Sequence, residues 1–381
     1  MTISRDEIAE LTGELVAIDS TNPDLVPGGA GEAEIVRFVA AWLTDAGLDV
    51  EVHELAPGRA NAIGIARGSG GGKSLMLNAH MDVVGQGGMA DPWVPRIEGD
   101  RLYGRGAWDM KASLAAIMLA GREAASLGLR GDVIITAVAD EEYASIGVQD
   151  VVRRMGAAAA IVTEPTGLDV CVAHKGFVWL EVETRGVAAH GSLPEEGVDA
   201  IVKMGSVLIG LEALDRELRA RPGHALVGPA SVHASLIQGG QELSTYPDRC
   251  LLSIERRTIP GESTEEVEGQ IAAILERAAT ADPDFRAEQR TLLVREPFTV
   301  SREEPIAKLA YRHLAEALGR GPEVLGWDGW MDSAFLSAAG IPTVVLGPDG
   351  AGAHADVEWV DIPSAEVTAN VLVGIITEFC S

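Results

Sequence analysis

The sequence predicts an α/β fold interrupted by a smaller α+β insertion, on three observations. Along both ends of the chain, short apolar runs alternate with stretches of helical periodicity, the rhythm of a sheet covered by helices on both faces. In the middle the order becomes β-α-β-β-α-β, that of a ferredoxin-like unit. At 381 residues the chain is long enough for two domains, at ~150 residues each. This divides it into one discontinuous domain, 1–178 and 294–381, and an inserted one, 179–293.

Ser4 followed by Glu7 is a capping box, and Ile8, Leu11, Leu15 and Ile18 then share one helical face. A second helix starts near Glu32, with Ile35, Phe38, Val39, Trp42 and Leu43 on its apolar stripe. Leu48, Val50 and Val52 alternate as a strand does, and Ser74–Asn78 reads as a buried strand after the turn Arg67–Lys73. Helix Met110–Leu127, strand Asp132–Ala139, helix Gly147–Met155 and strand Ala157–Val162 follow. Gly176–Thr184 then alternates apolar and polar residues, as in a sheet with one solvated face. Helix Asp199–Leu218, strands Ser231–Gln238 and Arg249–Arg257, a helix opened by the capping box Ser263 and Glu266, and a strand near Phe285–Val294 complete the insertion. The first rhythm returns with helices Pro305–Leu318 and Asp332–Ala339, strand Pro342–Leu346 and helix Pro363–Phe379.

Hydrophobic residues make up 47% and charged residues 23% of the chain, the balance of a folded protein. Thirty Lys and Arg against 57 Asp and Glu leave a net charge of −27. Such a surface repels phosphate backbones and anionic lipid, so neither nucleic acid nor membrane is an expected partner. Aromatics, at 4%, are too few for base-stacking platforms. Cys171, Cys250 and Cys380 are odd in number and far apart, which gives no disulfide framework and points to a reducing cytoplasm. The N-terminus lacks the charge and apolar core of a secretion signal. No run approaches the ~18 apolar residues that span a bilayer.

Acidic residues and histidines gather where apolar strands end. Leu75-Met-Leu-Asn-Ala runs into His80 and Asp82, Val133–Ala139 into Asp140-Glu141-Glu142, and Ala159–Thr163 into Glu164. Val344–Gly347 leads on to His354, and Asp109 lies in a glycine-containing loop before a helix. Ligands of open α/β sheets sit outside the carboxyl ends of strands, so these residues can converge. Taken singly each is ordinary: His80 a polar residue meeting solvent, Glu141-Glu142 an acidic pair at a helix start, Glu164 the opening of a turn before Pro165. Together they form an oxygen and nitrogen ligand set suited to Zn²⁺, Co²⁺ or Mn²⁺, with enough groups for two ions sharing a carboxylate. No nucleophile elbow, H-E-x-x-H helix, P-loop or dinucleotide fingerprint competes with this reading.

Asn78-Ala-His80-Met-Asp82, Gly104-Arg-Gly-Ala-Trp-Asp109-Met-Lys111, Asp140-Glu141-Glu142, Thr163-Glu164-Pro165, Ala189-His190-Gly191, Arg256-Arg257 with Pro260-Gly261-Glu262, and Ala353-His354 resemble the signature series of the co-catalytic zinc amidohydrolases. That group holds acetylornithine deacetylase, succinyl-diaminopimelate desuccinylase, glutamate-releasing carboxypeptidases and aminoacylases. The resemblance implies a zinc-peptidase-like catalytic domain with a central mixed sheet, and an inserted lid that also serves a homodimer. It implies two divalent ions, with Asp109 bridging, His80 and Glu164 completing one site, and Glu142 and His354 the other. Asp82, two residues from His80, would hydrogen-bond the imidazole and fix its tautomer. Glu141 would be the general base.

His190 would be the oxyanion donor, carried in by lid closure or by a neighbouring subunit. His174 and Lys175 match the family's entrance to the insertion and read as structural. Arg257 is the candidate grip for a substrate carboxylate, the alternative being a salt bridge on the lid surface. Ser244-Thr-Tyr-Pro-Asp248 stands where relatives often have Asn-Val-Ile-Pro-Asp, so Ser244 is expected to replace an amide contact with a hydroxyl. Met331-Asp332 likewise departs from Thr-Asp. The implied activity is removal of the acyl group from an N-acyl amino acid. A metallo-exopeptidase acting on short peptides is the alternative. A non-catalytic binding protein on this fold would show a damaged ligand or base, and every such position is filled.

Overall fold

The computed structural model describes residues 2–381. In chain order the elements are α1 (Arg5–Val16), α2 (Ala33–Asp45), β1 (Asp49–Ala56), β2 (Arg59–Ala66), β3 (Leu75–His80), β4 (Arg96–Glu98), β5 (Arg101–Tyr103), α3 (Ala112–Ser126), β6 (Val133–Val138), α4 (Ile146–Arg154), β7 (Ala159–Val162) and β8 (Val170–His174). Next come β9 (Gly176–Arg185), α5 (Ala200–Ala220), β10 (Ser231–Gly239), β11 (Arg249–Thr258), α6 (Thr264–Ala281), β12 (Arg286–Arg295) and β13 (Phe298–Thr299). The chain ends with α7 (Pro305–Leu318), β14 (Val324–Trp327), α8 (Ser333–Ala338), β15 (Thr343–Val345), β16 (Gly350–Ala351), β17 (Trp359–Asp361) and α9 (Ile362–Phe379).

Two compact units result, one of residues 1–172, 300–325 and 331–381, the other of 173–299 and 326–330. The second starts six residues before the expected insertion and ends six after it. The reason is local: Ala173 and His174 at the end of β8 pair with Thr299 and Phe298 of β13, so one boundary falls within β8 and the other just after β13.

In the larger unit the sheet order is β1-β2-β6-β3-β7-β15-β8. Its centre is parallel, β6 with β3, β3 with β7 and β7 with β15, while β1, β2 and β8 join antiparallel. The central strands are buried along their whole length, as parallel strands covered by helices must be. Helix α3 packs on β2, β3 and β6, α2 on β1 and β2, and α7 and α8 on β15. Ser4 caps α1 through the expected capping box with Glu7.

Helix α3 starts at Ala112 rather than Met110, because Ala107–Lys111 forms a wider π-type turn first. Helix α9 alone among the described residues has the length and composition to cross a membrane, a feature the sequence reading did not find. Its buried face, from Ile362 through Leu372 to Phe379, packs on α1, α3 and α7 as a core helix.

The smaller unit is a four-stranded antiparallel sheet of order β10-β11-β9-β12. Numbered within the unit this is 2-3-1-4, the ferredoxin-like arrangement. Val178, Leu180 and Val182 of β9 and Leu252 and Ile254 of β11 meet Met204, Val207 and Leu211 of α5 and Val267, Ile271 and Ile274 of α6 in one core. The Ser263–Glu266 capping box opens α6 as expected.

Candidate metal centre

Strand register brings the candidate ligands together. His80 sits opposite Val138 in the β3–β6 ladder, Asn78 opposite Val162 in β3–β7, and Val345 opposite Val162 in β7–β15. Strands β3 and β6 therefore end level with each other, and β7 and β15 end together two residues earlier. His80 is the last residue of β3, Glu142 lies four residues past the end of β6 and Glu164 two past that of β7. Asp109 comes from the π-type turn, and His354 follows β16 with a left-handed φ of 62°.

Asp109 joins two ligand groups. Its Oδ1 lies 3.2 Å from His80 Nε2 and its Oδ2 lies 3.4 Å from His354 Nε2. Glu164 Oε1 stands 3.7 Å from His80 Nε2, and Glu142 Oε2 stands 3.0 Å from His354 Nε2. The triplets His80–Asp109–Glu164 and Asp109–Glu142–His354 each hold one ligand atom per residue within 4.8 Å of the others.

The tautomer of His80 is set by a different atom from the one expected. Its Nδ1 donates to the main-chain oxygen of Asp82 at 2.8 Å, which leaves Nε2 to face Asp109 and Glu164. The Asp82 carboxylate is 3.8 Å from that ring. It accepts instead from the main-chain N–H groups of Glu141 (3.1 Å) and Glu142 (3.2 Å) and from Asn22 Nδ2 (2.8 Å). Strand β3 stops at His80, so the same-side rule for an extended chain no longer applies at Asp82.

Electrostatics point to missing positive charge. Burial, then Glu164, push the Glu141 carboxyl well above its ordinary range. Burial and Asp109 push Glu142 up to about 7, and burial, against His80, leaves Glu164 well raised. His354 is raised to about 10 by its hydrogen bonds to Asp109 and Glu142. Burial opposes charge on His80, yet Glu164 and Asp109 outweigh it and lift its pKa. Burial also opposes ionisation of Asp109, but the two histidines win and hold it ionised. Glu142 Oε1 is buried with no hydrogen-bond partner. An orphaned carboxylate oxygen among crowded acids and two imidazoles fits divalent cations, which neutralise the acids and occupy the vacant lone pairs.

Sequence reasoning missed Asp332 as part of this cluster. It is buried in the same unit, and its charge raises the carboxyls of both Glu141 and Glu164. The signal was its place just before an apolar helix, noted only as a departure from a motif. Asn22 was missed too; it bridges Asp82 and Asp140 with one amide, at 2.8 and 2.9 Å.

The other predicted residues belong to the smaller unit. His190 Nδ1 accepts from Ser192 N–H at 3.2 Å and contacts Ser192 Oγ at 2.8 Å, so Nε2 carries the ring proton. His190 forms an isolated antiparallel β-bridge with Thr245, and the main-chain oxygen of Ser244 accepts from Gly191 N–H at 2.6 Å, so these two predicted residues lie on neighbouring loop segments. Arg257 Nε donates to Glu255 at 2.6 Å, and its guanidinium lies over the Phe177 ring at 5.2 Å. His174 stacks against Phe298, and Lys175 pairs with Asp328 at 2.9 Å, both structural contacts within this unit.

A parallel-centred sheet with two carboxylate–histidine groups at its strand ends has the frame of a metal-dependent hydrolase. The model for peptidase family M20/M25/M40 matches residues 76–378, and the chain belongs to that family. It is 30% identical to an acetylornithine deacetylase of Myxococcus xanthus, over 96% of each chain. It is 26% identical to an N-formyl-4-amino-5-aminomethyl-2-methylpyrimidine deformylase of Bacillus subtilis (strain 168), over 99% of this chain and 95% of that one. In structure it is similar to aminopeptidase PepT from Bacillus cereus ATCC 10987, with a TM-score of 0.82 and 22% identity over all of both chains. It is also similar to the Bacillus subtilis YXEP protein, a dinuclear metal binding peptidase, with a TM-score of 0.76 and 15% identity over 99% of this chain and 98% of that one.

Proposed function

We propose that this chain is a two-metal deacylase that hydrolyses the amide of an N-acyl amino acid, in the manner of an acetylornithine deacetylase. One observation carries the reading: Asp109 turns one carboxylate oxygen to each of two histidines, with a further glutamate on each side. Zn²⁺, or Co²⁺ or Mn²⁺ in its place, fits the His80–Asp109–Glu164 and Asp109–Glu142–His354 groups. When bound, such ions supply Lewis acidity and a water that ionises near neutral pH.

The chain's own groups do the rest. Glu141 takes the proton of the attacking water and returns it to the leaving nitrogen. Its main-chain N–H is held by Asp82, so the base is fixed at the edge of the ligand set. His190 offers its Nε2 proton to the oxyanion. Arg257 and Ser244 are the candidate contacts to the substrate's carboxylate and acyl group, Arg257 by exchanging Glu255 for substrate. Relatives at 26 and 30% identity with deacetylase and deformylase names support removal of a small acyl group over peptide cleavage.

A homodimer through the smaller unit belongs to the same proposal. Strand β10 is a sheet edge that exposes Leu236 and Ile237, and α5 exposes Val202 and Ile209. Three buried free cysteines accord with a cytoplasmic, reducing location.

The test is a parallel assay of Zn²⁺-loaded protein on N-acetylornithine, N-succinyl-diaminopimelate and small dipeptides. Turnover of an acylated amino acid is the expected result. Turnover of dipeptides alone would replace the deacylase with an exopeptidase.

A further inference from the structure

Arg105 and Glu358 form an ion pair with both side chains 1% exposed, Nη1 to Oε2 at 2.8 Å. A buried pair of this kind is poor evidence of stability, since well-packed apolar residues often do as well. What apolar residues cannot do is accept N–H groups. Glu358 Oε2 also accepts from Gly106 N–H at 3.0 Å, and Oε1 accepts from Trp108 at 3.0 Å and Asp109 at 3.1 Å. One carboxylate thus closes the inside of the turn that presents Asp109. Gly106, at φ 76°, supplies the left-handed step that lets these N–H groups converge.

Arg105 spends its remaining donors on two other segments. Nε donates to Gly85 O at 3.1 Å and Nη2 to Gln86 O at 3.3 Å, in the stretch that follows His80. Nη2 also donates to Ala355 O at 2.9 Å, next to His354. The pair therefore ties together the segments that carry His80, Asp109 and His354, residues far apart in the chain.

We propose that Arg105 and Glu358 are positioning residues that aim the Asp109 carboxylate between the two ligand groups, and that Arg105 also sets the height of His354. This rests on the metal reading above. Glu358 acts on both ion sites because it holds the shared ligand. Of the Arg105 contacts, Ala355 directly adjoins a ligand, His354, whereas Gly85 and Gln86 stand five and six residues past His80, so loss of the Arg105 fork falls chiefly on the His354 side.

The experiment is titration of chelator-treated protein with Co²⁺, followed by visible absorption and by calorimetry, for wild type, Glu358→Gln and Arg105→Lys. Wild type takes up two Co²⁺ per chain. Glu358→Gln binds both ions about 10–100-fold more weakly, the range for losing an outer partner of a ligand. Arg105→Lys keeps a cation beside Glu358 but loses the planar fork, so it weakens chiefly one of the two ions. A purely structural role would lower the melting temperature of the metal-free variants and leave Co²⁺ affinity unchanged; that result overturns the proposal. If Glu358→Gln does not fold, Arg105→Lys decides alone: two ions at wild-type affinity overturn the proposal and selective loss of one supports it. If wild type itself binds no Co²⁺, the metal reading fails, a result distinct from failure of the positioning role.

Discussion

Asp82 Oδ1 accepts the main-chain N–H of Glu141 at 3.1 Å, so the residue expected to orient a metal-binding imidazole instead holds the backbone of the proposed base. Its second oxygen does the same for Glu142. Replacement by Ala leaves His80 Nδ1 on its main-chain acceptor, because that acceptor is a carbonyl present in every variant. Asp82→Ala should thus retain metal at the His80 group while losing about 10–100-fold in kcat. Metal analysis beside steady-state kinetics checks this. Loss of metal with unchanged kcat per bound ion would reverse the assignment.

Glu141→Gln separates chemistry from charge. With the base gone, kcat should fall about 10²–10⁴-fold at unchanged metal content. The same change removes a carboxyl whose ionised form is disfavoured by burial and by Glu164. Metal-free Glu141→Gln should consequently melt above metal-free wild type at pH 8, an inactive variant more stable than its parent. A lower melting temperature at that pH would contradict the electrostatic account.

The pH dependence of the metal-free protein follows from the same groups. Glu141, Glu142 and Glu164 have folded pKa values above the ordinary 4.5, that of Glu142 at about 7. Between pH 4.5 and 7 the folded chain keeps protons that the unfolded chain has released, so stability falls as pH rises. His80 and His354 are raised too, His354 from 6.5 to about 10, and their contribution, full below pH 6.5, is lost as pH rises through the folded values. Asp109 runs the other way, its contribution present above pH 3.8 and lost only at strongly acidic pH. The melting temperature in chelator should therefore decline from pH 5 to pH 9. Zn²⁺ should flatten or reverse the slope, because ligands bind it deprotonated. A decline that persists in Glu142→Gln and Glu164→Gln at full size would trace it to other groups.

His190→Ala should lower kcat and leave KM nearly unchanged, since a bond to the oxyanion strengthens only as charge develops there. The Nδ1 contacts with Ser192 make the outward Nε2 a donor. Ser192→Ala should accordingly show a weaker effect of the same kind. A rise in KM at constant kcat would make His190 a substrate-binding residue instead.

Much of this was legible in the sequence for one reason: the central strands are apolar runs that end in acids or histidine, and parallel register puts their ends within two residues of one another. The ferredoxin-like unit was legible because one face of β9 and β11 is solvated and alternates. Strand β2 was not, since Arg59-Ala-Asn-Ala-Ile-Gly-Ile-Ala is buried nearly throughout and shows no period. Strands β4, β5, β16 and β17, of two or three residues, are too short to leave a pattern. Arg105 and Glu358 stand 253 positions apart, and only the folded chain pairs them. The partner of Asp82 was misread because periodicity says where a side chain points within a strand and nothing once the strand has ended.

The smaller unit carries its own prediction. Leu236 is 72% and Ile209 70% exposed, one on the edge strand β10 and one on α5. An edge strand with apolar side chains is a template for another strand, and the chain's net charge of −27 discourages unspecific association. A second copy pairing there, edge to edge and helix to helix, would cover both features at once. Light scattering at micromolar concentration should show a dimer for wild type and a folded monomer for Ile209→Glu combined with Leu236→Lys. Because neither residue lies in the candidate metal centre, the monomer should keep two Co²⁺ sites. A dimer that survives both substitutions would move the interface elsewhere.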